Sequence, residues 1–225
     1  MSRSLRADRE RELVRATRAL FDRRGVLDAP IEEIARAVGI PRGLIYRQFS
    51  SKEELFVLTV TDYLAELDGL LAAAAGGSGD PVAQLRRCMR AYVGFCQRYP
   101  AFLDSSLALM HRPARELREI VSGSVWLRLG QGMARCLDRV AAVLAAGAET
   151  GAFRVSDADY TANVLWTQVL GVMHLARIGV GVRQSGPDMP ELFSVGSEQV
   201  MRSAVESAMA TVAAPAHPGP GGRGT

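Results

Sequence analysis

The 225-residue chain is 48% hydrophobic, enough to bury a sizeable core, and carries 27 Lys and Arg against 24 Asp and Glu. No run of 18 uncharged apolar residues occurs, which argues against a membrane-spanning helix. The N-terminal MSRSLRADRE has no apolar segment behind its basic residues, so a secretory signal is not expected. Cys88, Cys96 and Cys136 form neither a CxxC pair nor an even disulfide set, and the expectation is a cytoplasmic protein with buried, reduced thiols.

The charge is unevenly spread. Residues 1–52 hold 12 Lys and Arg against 7 Asp and Glu, whereas the remainder holds 15 against 17. A basic excess confined to the first quarter suits one small module facing a polyanion. Of the basic residues only Lys52 is lysine, so the location of the arginines carries more meaning than their number.

Helical periodicity appears almost everywhere, and sustained apolar–polar alternation nowhere. In ERELVRATRALFDRRG the positions Leu13, Ala16, Thr17, Leu20 and Phe21 share one helix face, and Gly25 is the expected C-terminal cap. The next helix opens at Pro30, buries Ile31, Ile34, Ala35 and Val38, and ends at Gly39. A short helix over about 41–48 buries Ile45 and Phe49. A longer one over about 51–75 has Ser51 as its N-cap and Glu53 and Glu54 in its first turn. The stretch GGSGDP (76–81) breaks the chain. Helices are expected from Pro81 to about Tyr99, from Pro100 to about Met110, from Pro113, over 122–148, over 157–180 with Ser156 as cap, and over 191–212. GVRQSGPDMP reads as a loop, and the tail 214–225, rich in Gly and Pro, as disordered. The expected fold is all-α, with a helix-turn-helix domain over 1–50 and a larger helical domain over 51–213.

Helix, glycine-containing turn and short helix over 31–48 is the arrangement that seats its second helix in the major groove. With Ile45 and Phe49 turned inward, Arg42, Gly43, Leu44, Tyr46 and Arg47 face out. Gly43 holds no side chain between backbone and duplex. Tyr46 and Gln48 have donors for phosphate oxygens, and Lys52 adds its charge to the positive end of its helix. Arg3 and Arg6 are placed either as a minor-groove arm or as a frayed terminus.

Residues 10–56, through LVRATRALFDRRG and IEEIARAVGIPRGLIYRQFSSKEELF, closely resemble the N-terminal domain of the TetR family of bacterial transcriptional repressors. Three positions depart from that family's pattern: Pro41 stands where a capping Ser or Thr is usual, Leu44 for a threonine and Gln48 for a histidine. The resemblance implies a homodimer, a palindromic DNA operator and a small-molecule pocket in the C-terminal domain. The expected effector is largely hydrophobic, and the expected outcome of its binding is release of the operator.

Helix 157–180 carries two apolar stripes, one of Trp166, Leu170, Met173 and His174 and one of Leu165, Val169, Val172, Ala176 and Gly179; both must be covered. It is expected to form the dimer interface with helix 191–212. Phe102, Leu103, Met110, His111, Trp126, Met133, Trp166, Leu170, Met173 and His174 are the candidates for lining a cavity, with core packing as the alternative for each. Arg112 or Arg177 is placed to meet an anionic end of a ligand.

Two other function classes compete. An enzyme is disfavoured by the absence of HExxH, GxSxG, GxxxxGK[ST] and paired Glu-x-x-His motifs, and no metal or cofactor is expected. A helical interaction module with a basic end would bind acidic partners or membrane surfaces in a salt-sensitive way, without preference for DNA sequence.

Overall fold

A computed structural model describes residues 3–24, 30–77, 79–111 and 114–213. Gly25, Arg112, Pro113 and the tail 214–225 lie outside them, as does the side chain of Arg3. The described chain forms α1 (Arg3–Arg24), α2 (Ile31–Val38), α3 (Arg42–Gln48), α4 (Lys52–Ala75), α5 (Pro81–Arg98), α6 (Pro100–Met110), α7 (Ala114–Ile120), α8 (Gly123–Glu149), α9 (Ala158–Ile178), β1 (Val180–Gly186), β2 (Met189–Ser194) and α10 (Ser197–Val212). Among the described residues the fold is all-α with one small two-stranded ribbon.

Short local signals set most boundaries. Gly39 ends α2 in the left-handed region at φ 71°, and its N–H and that of Ile40 close back onto Arg36 and Ala35 carbonyls. Ser51 caps α4 by accepting from the Glu54 N–H, and Asp80 caps α5 by accepting from the Val82 and Ala83 N–H groups. Asp157, rather than Ser156, caps α9, accepting from the Tyr160 N–H at 2.8 Å. Placing Asp157 outside the helix also leaves its carboxylate at the positive helix end.

The segment after α9 departs from expectation. Residues 180–194 form an antiparallel hairpin with Val180 opposite Ser194 and Val182 opposite Leu192, so the loop expected there is a strand and the last helix starts at Ser197 instead of near residue 191. Gly179, at φ 71°, stops α9. Val180 and Val182 then alternate with Gly181 and Arg183, and Asp188 takes the left-handed turn position at φ 57°. The alternation is too short to stand out against surrounding helical periodicity, and cross-strand pairing completes it.

α4 organises the body. Leu55, Val57, Leu58, Val60, Tyr63, Leu64, Leu67 and Leu71 are buried along it, and α1, α5 and α8 pack around it. Arg18 of α1 reaches Asp62 at 2.8 Å and Glu66, both on α4, with its guanidinium 4.2 Å from the Tyr63 ring centre and 4.9 Å from that of Tyr99. Burial by itself would lower the Arg18 pKa; the two carboxylates outweigh it and hold the guanidinium firmly charged. Burial pushes the Cys88 thiol up to about 11 and the Cys136 thiol up to about 12, so both stay protonated and act as small apolar side chains.

α8 folds back through Phe153, whose N–H bonds to the Gly147 carbonyl and whose ring covers Gly147. A Cβ at Gly147 would meet that ring at 2.0 Å. Gly147→Ala is therefore expected to cost about 2 kcal/mol through displacement of Phe153, which thermal melting should register as a Tm roughly 4–8 °C lower.

Candidate nucleic-acid interface

The face of α3 follows from its period. Ile45 and Phe49, four residues apart, are buried against α1 and α2, and their burial turns Arg42, Gly43, Tyr46 and Arg47 to solvent, Tyr46 being 48% exposed. Leu44 and Gln48 are half-buried at the edges of this face, and Lys52 is exposed in the first turn of α4. A Cβ on Gly43 would meet nothing within 4 Å, so no internal packing requires glycine there.

Interactions within the motif pre-orient two of these residues. The Arg42 guanidinium donates to Glu32 at 2.6 Å and lies 5.4 Å from the Tyr46 ring centre, which links the outward faces of α2 and α3. Both members of the ion pair are exposed, so it contributes little to stability, about 0–1 kcal/mol. Gln48, expected to donate to phosphate, donates its amide to the Arg6 carbonyl at 3.1 Å, which fastens the end of α3 to α1 and leaves a second N–H on the same nitrogen. Arg6 itself is helical, so residues 3–6 continue α1 instead of forming an extended arm, and the Arg6 side chain is exposed beside Tyr46 and Arg47 in a cleft of about 450 Å³.

A buried carboxylate joins the motif to the body. Glu54, 6% exposed, accepts from the Ser50 N–H at 2.7 Å, the Ser50 hydroxyl at 2.8 Å, the Ser122 N–H at 3.3 Å and the Ser122 hydroxyl. Ser50 directly follows the α3 cap, and Ser122 directly precedes α8. Ser51 adds a bond from its hydroxyl to the Ile120 carbonyl at 3.2 Å. Burial alone would raise the Glu54 pKa, but the bonds from Ser122 and Ser50 outweigh it and hold the carboxyl below its usual range. Higher up, Arg128 of α8 donates to Glu10 of α1 at 2.6 Å. Sequence reasoning recognised Glu54 as a first-turn acid and missed this junction. The Ser51-x-x-Glu54 spacing of a capping box was its visible half, while the reach to Ser122 crosses 68 residues.

The ten candidates for an effector pocket divide in three. Phe102, Leu103, Trp166, Leu170 and Met173 are buried together in the core, with Tyr92 stacked on Trp166 at 4.6 Å and Phe102 edge-on to it at 6.4 Å. Trp126 and Met133 of α8 are half-buried against that core. Met110, His111 and His174 are exposed, and Arg177 pairs with Asp104 at 3.3 Å. None of the ten lines the three described clefts, which lie along α1, α4 and α8 and beside α3.

Comparison with known proteins places the same segment. Residues 13–58 match the family model for bacterial regulatory proteins, tetR family. The HTH-type transcriptional regulator HbdR of Aromatoleum sp. (strain CIB) is 28% identical over 111 residues, 49% of this chain, and the match spans about half of that relative, 47% of its length. The HTH-type transcriptional regulator BetI of Yersinia pestis (strain Pestoides F) is 29% identical over 150 residues, 64% of this chain and 76% of the relative. AibR, solved in complex with isovaleryl coenzyme A and operator DNA, is similar in fold at a TM-score of 0.59 and 18% identity, over 88% of this chain and 97% of that one.

Proposed function

We infer that this chain, which belongs to the TetR family of bacterial transcriptional regulators and binds DNA as such, is a repressor released from a palindromic operator by a small, largely hydrophobic effector. The observation that carries the reading is the outward face of α3, where Arg42, Gly43, Tyr46 and Arg47 stand together over a buried Ile45–Phe49 side. Residues 1–50 act as the reading head and 51–213 as the body. In a cytoplasmic homodimer, two copies of α3 enter major grooves about one helical turn, roughly 34–36 Å, apart. Lys52 and Tyr46 hold phosphates, while Arg42 and Arg47 address base edges.

The effector acts through α4. Phe102, Leu103, Trp166, Leu170 and Met173 supply an apolar cluster with Trp126 and Met133 at its margin, a chemistry suited to an acyl chain or an aromatic compound. The fold is shared with a protein solved with an acyl coenzyme A and operator DNA, which supports this class of ligand. A ligand that wedges this cluster shifts α4 and α8 relative to α1. The Ser50–Glu54–Ser122 junction carries that shift to α3, and the spacing of the two heads changes. A few kcal/mol of preference for the released geometry suffices.

Selection of bound DNA from a random duplex library, followed by titration at two salt concentrations, tests the first half. A palindromic consensus bound about 1,000-fold more tightly than random DNA is the expected result. Weak, strongly salt-dependent binding with no consensus would leave the interaction module instead. Release of the selected duplex by apolar ligands then tests the second half.

A further inference from the structure

α1, α4 and α8 frame a cleft of about 390 Å³ along the seam between the reading head and the body. Its apolar part is Val14 of α1 and Leu58 of α4, 6% and 2% exposed. Its charge is lopsided, with Arg11, Arg15, Arg128 and Arg135 set against two carboxylates, Glu10 and Asp62. Both carboxylates are already answered. Arg128 donates to Glu10 at 2.6 Å, and Arg18 donates to Asp62 at 2.8 Å from outside the lining. Arg11 pairs with Asp8 on its own helix. Two guanidinium groups are left over. Arg15 is exposed and makes no ion pair among the described residues. Arg135 comes within 3.5 Å of Asp68, which Arg139 engages more closely at 3.0 Å.

We propose that this cleft binds a small organic carboxylate with a short apolar group. Its anion is held between Arg15 and Arg135, and its apolar group lies on Val14 and Leu58. Like charges gathered between low-dielectric walls repel one another and concentrate a positive potential, and an anion relieves both. The guanidinium fork matches a carboxylate in geometry, and the Gln131 amide in the same lining adds N–H donors. Glu10 and Asp62 disfavour a doubly charged anion such as phosphate, while the buried valine and leucine favour a ligand with a hydrocarbon part. The volume lies within the range of small-molecule sites, about 300–1,000 Å³. None of the lining residues belongs to the core cluster around Trp166, so this site is separate from that of the apolar effector and goes beyond it. Arg15 belongs to the head and Arg135 to the body. The bound anion therefore bridges the two, alongside the Arg128–Glu10 pair.

Isothermal titration calorimetry on the full chain tests the site with benzoate and hexanoate as probes, and with benzamide and inorganic phosphate as the neutral and the doubly charged counterparts. The expected result is a dissociation constant below about 1 mM for at least one carboxylate, with benzamide and phosphate at least about 10-fold weaker. Arg15→Gln and Arg135→Gln should each weaken that carboxylate about 10-fold or more, whereas Arg90→Gln, on an exposed part of α5 outside the cleft, should leave it unchanged. All three side chains are exposed, so the variants are expected to melt with the wild type. No heat from either carboxylate up to about 10 mM overturns the proposal. Benzamide binding as tightly as benzoate overturns the anion, and phosphate binding as tightly overturns the carboxylate. A constant indifferent to Arg15→Gln and Arg135→Gln, or one equally reduced by Arg90→Gln, overturns the site. Neither DNA nor a second subunit enters this measurement, so a failure here leaves the repressor reading untouched.

Discussion

The Tyr46→Ala, Arg47→Ala double variant is expected to lose about 100-fold or more in affinity for the selected operator while its melting temperature stays within roughly 2 °C of the wild type. The affinity loss follows from removing two contacts worth about 1–3 kcal/mol each. The unchanged stability follows from the position of both side chains on the exposed side of α3, with Ile45 and Phe49 still packed beneath. The single variants separate the roles. Arg47→Ala should relax sequence preference at one operator position, whereas Tyr46→Ala should weaken binding to all sequences alike. Fluorescence anisotropy against the consensus and two mismatched duplexes resolves the two. Stability loss comparable to the affinity loss would assign these side chains to the core and refute the orientation of α3.

The second large effect is at Glu54. Glu54→Ala removes the shared acceptor of four donors and leaves those of Ser50 and Ser122 facing a vacated site, at an expected cost of about 3 kcal/mol, read as a Tm roughly 6–12 °C lower. The pH dependence has a definite sign. The folded pKa of Glu54 is depressed, so its contribution is fully present above the ordinary glutamate value, near 4.3. It is lost as pH falls through the lower folded value. The difference in stability between wild type and Glu54→Ala should therefore be constant from neutral pH to about 5 and shrink under acid conditions. Equilibrium urea unfolding at a series of pH values measures it. A difference that does not change with pH would mean that the junction works without the carboxylate charge. Because Glu54 also ties Ser50 to the start of α8, effector response should fall more in Glu54→Gln than operator affinity does.

These two sites differ in how local the interactions that build them are. The orientation of α3 was legible because it rests on spacing alone: Ile45 and Phe49 lie one helical turn apart, and Gly39 ends the preceding helix in a conformation glycine adopts without strain. The same local logic located α1, α2, α4 and α5 through Phe21, Ile34, Ser51 and Asp80. The Glu54 junction was half legible, since a capping serine lies within three residues of it, whereas its partner Ser122 is far along the chain.

By itself the sequence determined the helical class, the helix-turn-helix and the side of α3 that meets solvent, because periodicity and caps act over three or four residues. Tertiary structure decided the rest. It turned the loop expected after α9 and the first residues of the expected last helix into a hairpin, since Val180–Gln184 becomes a strand only when Pro190–Ser194 supplies its hydrogen-bond partners. It joined the Gln48 amide to the Arg6 carbonyl, 42 residues away. It also placed Trp166 and Met173 in the core and left His174, one residue further on, exposed. Each of these outcomes depends on a surface contributed by a distant part of the chain, and spacing within one helix carries no record of what packs against it.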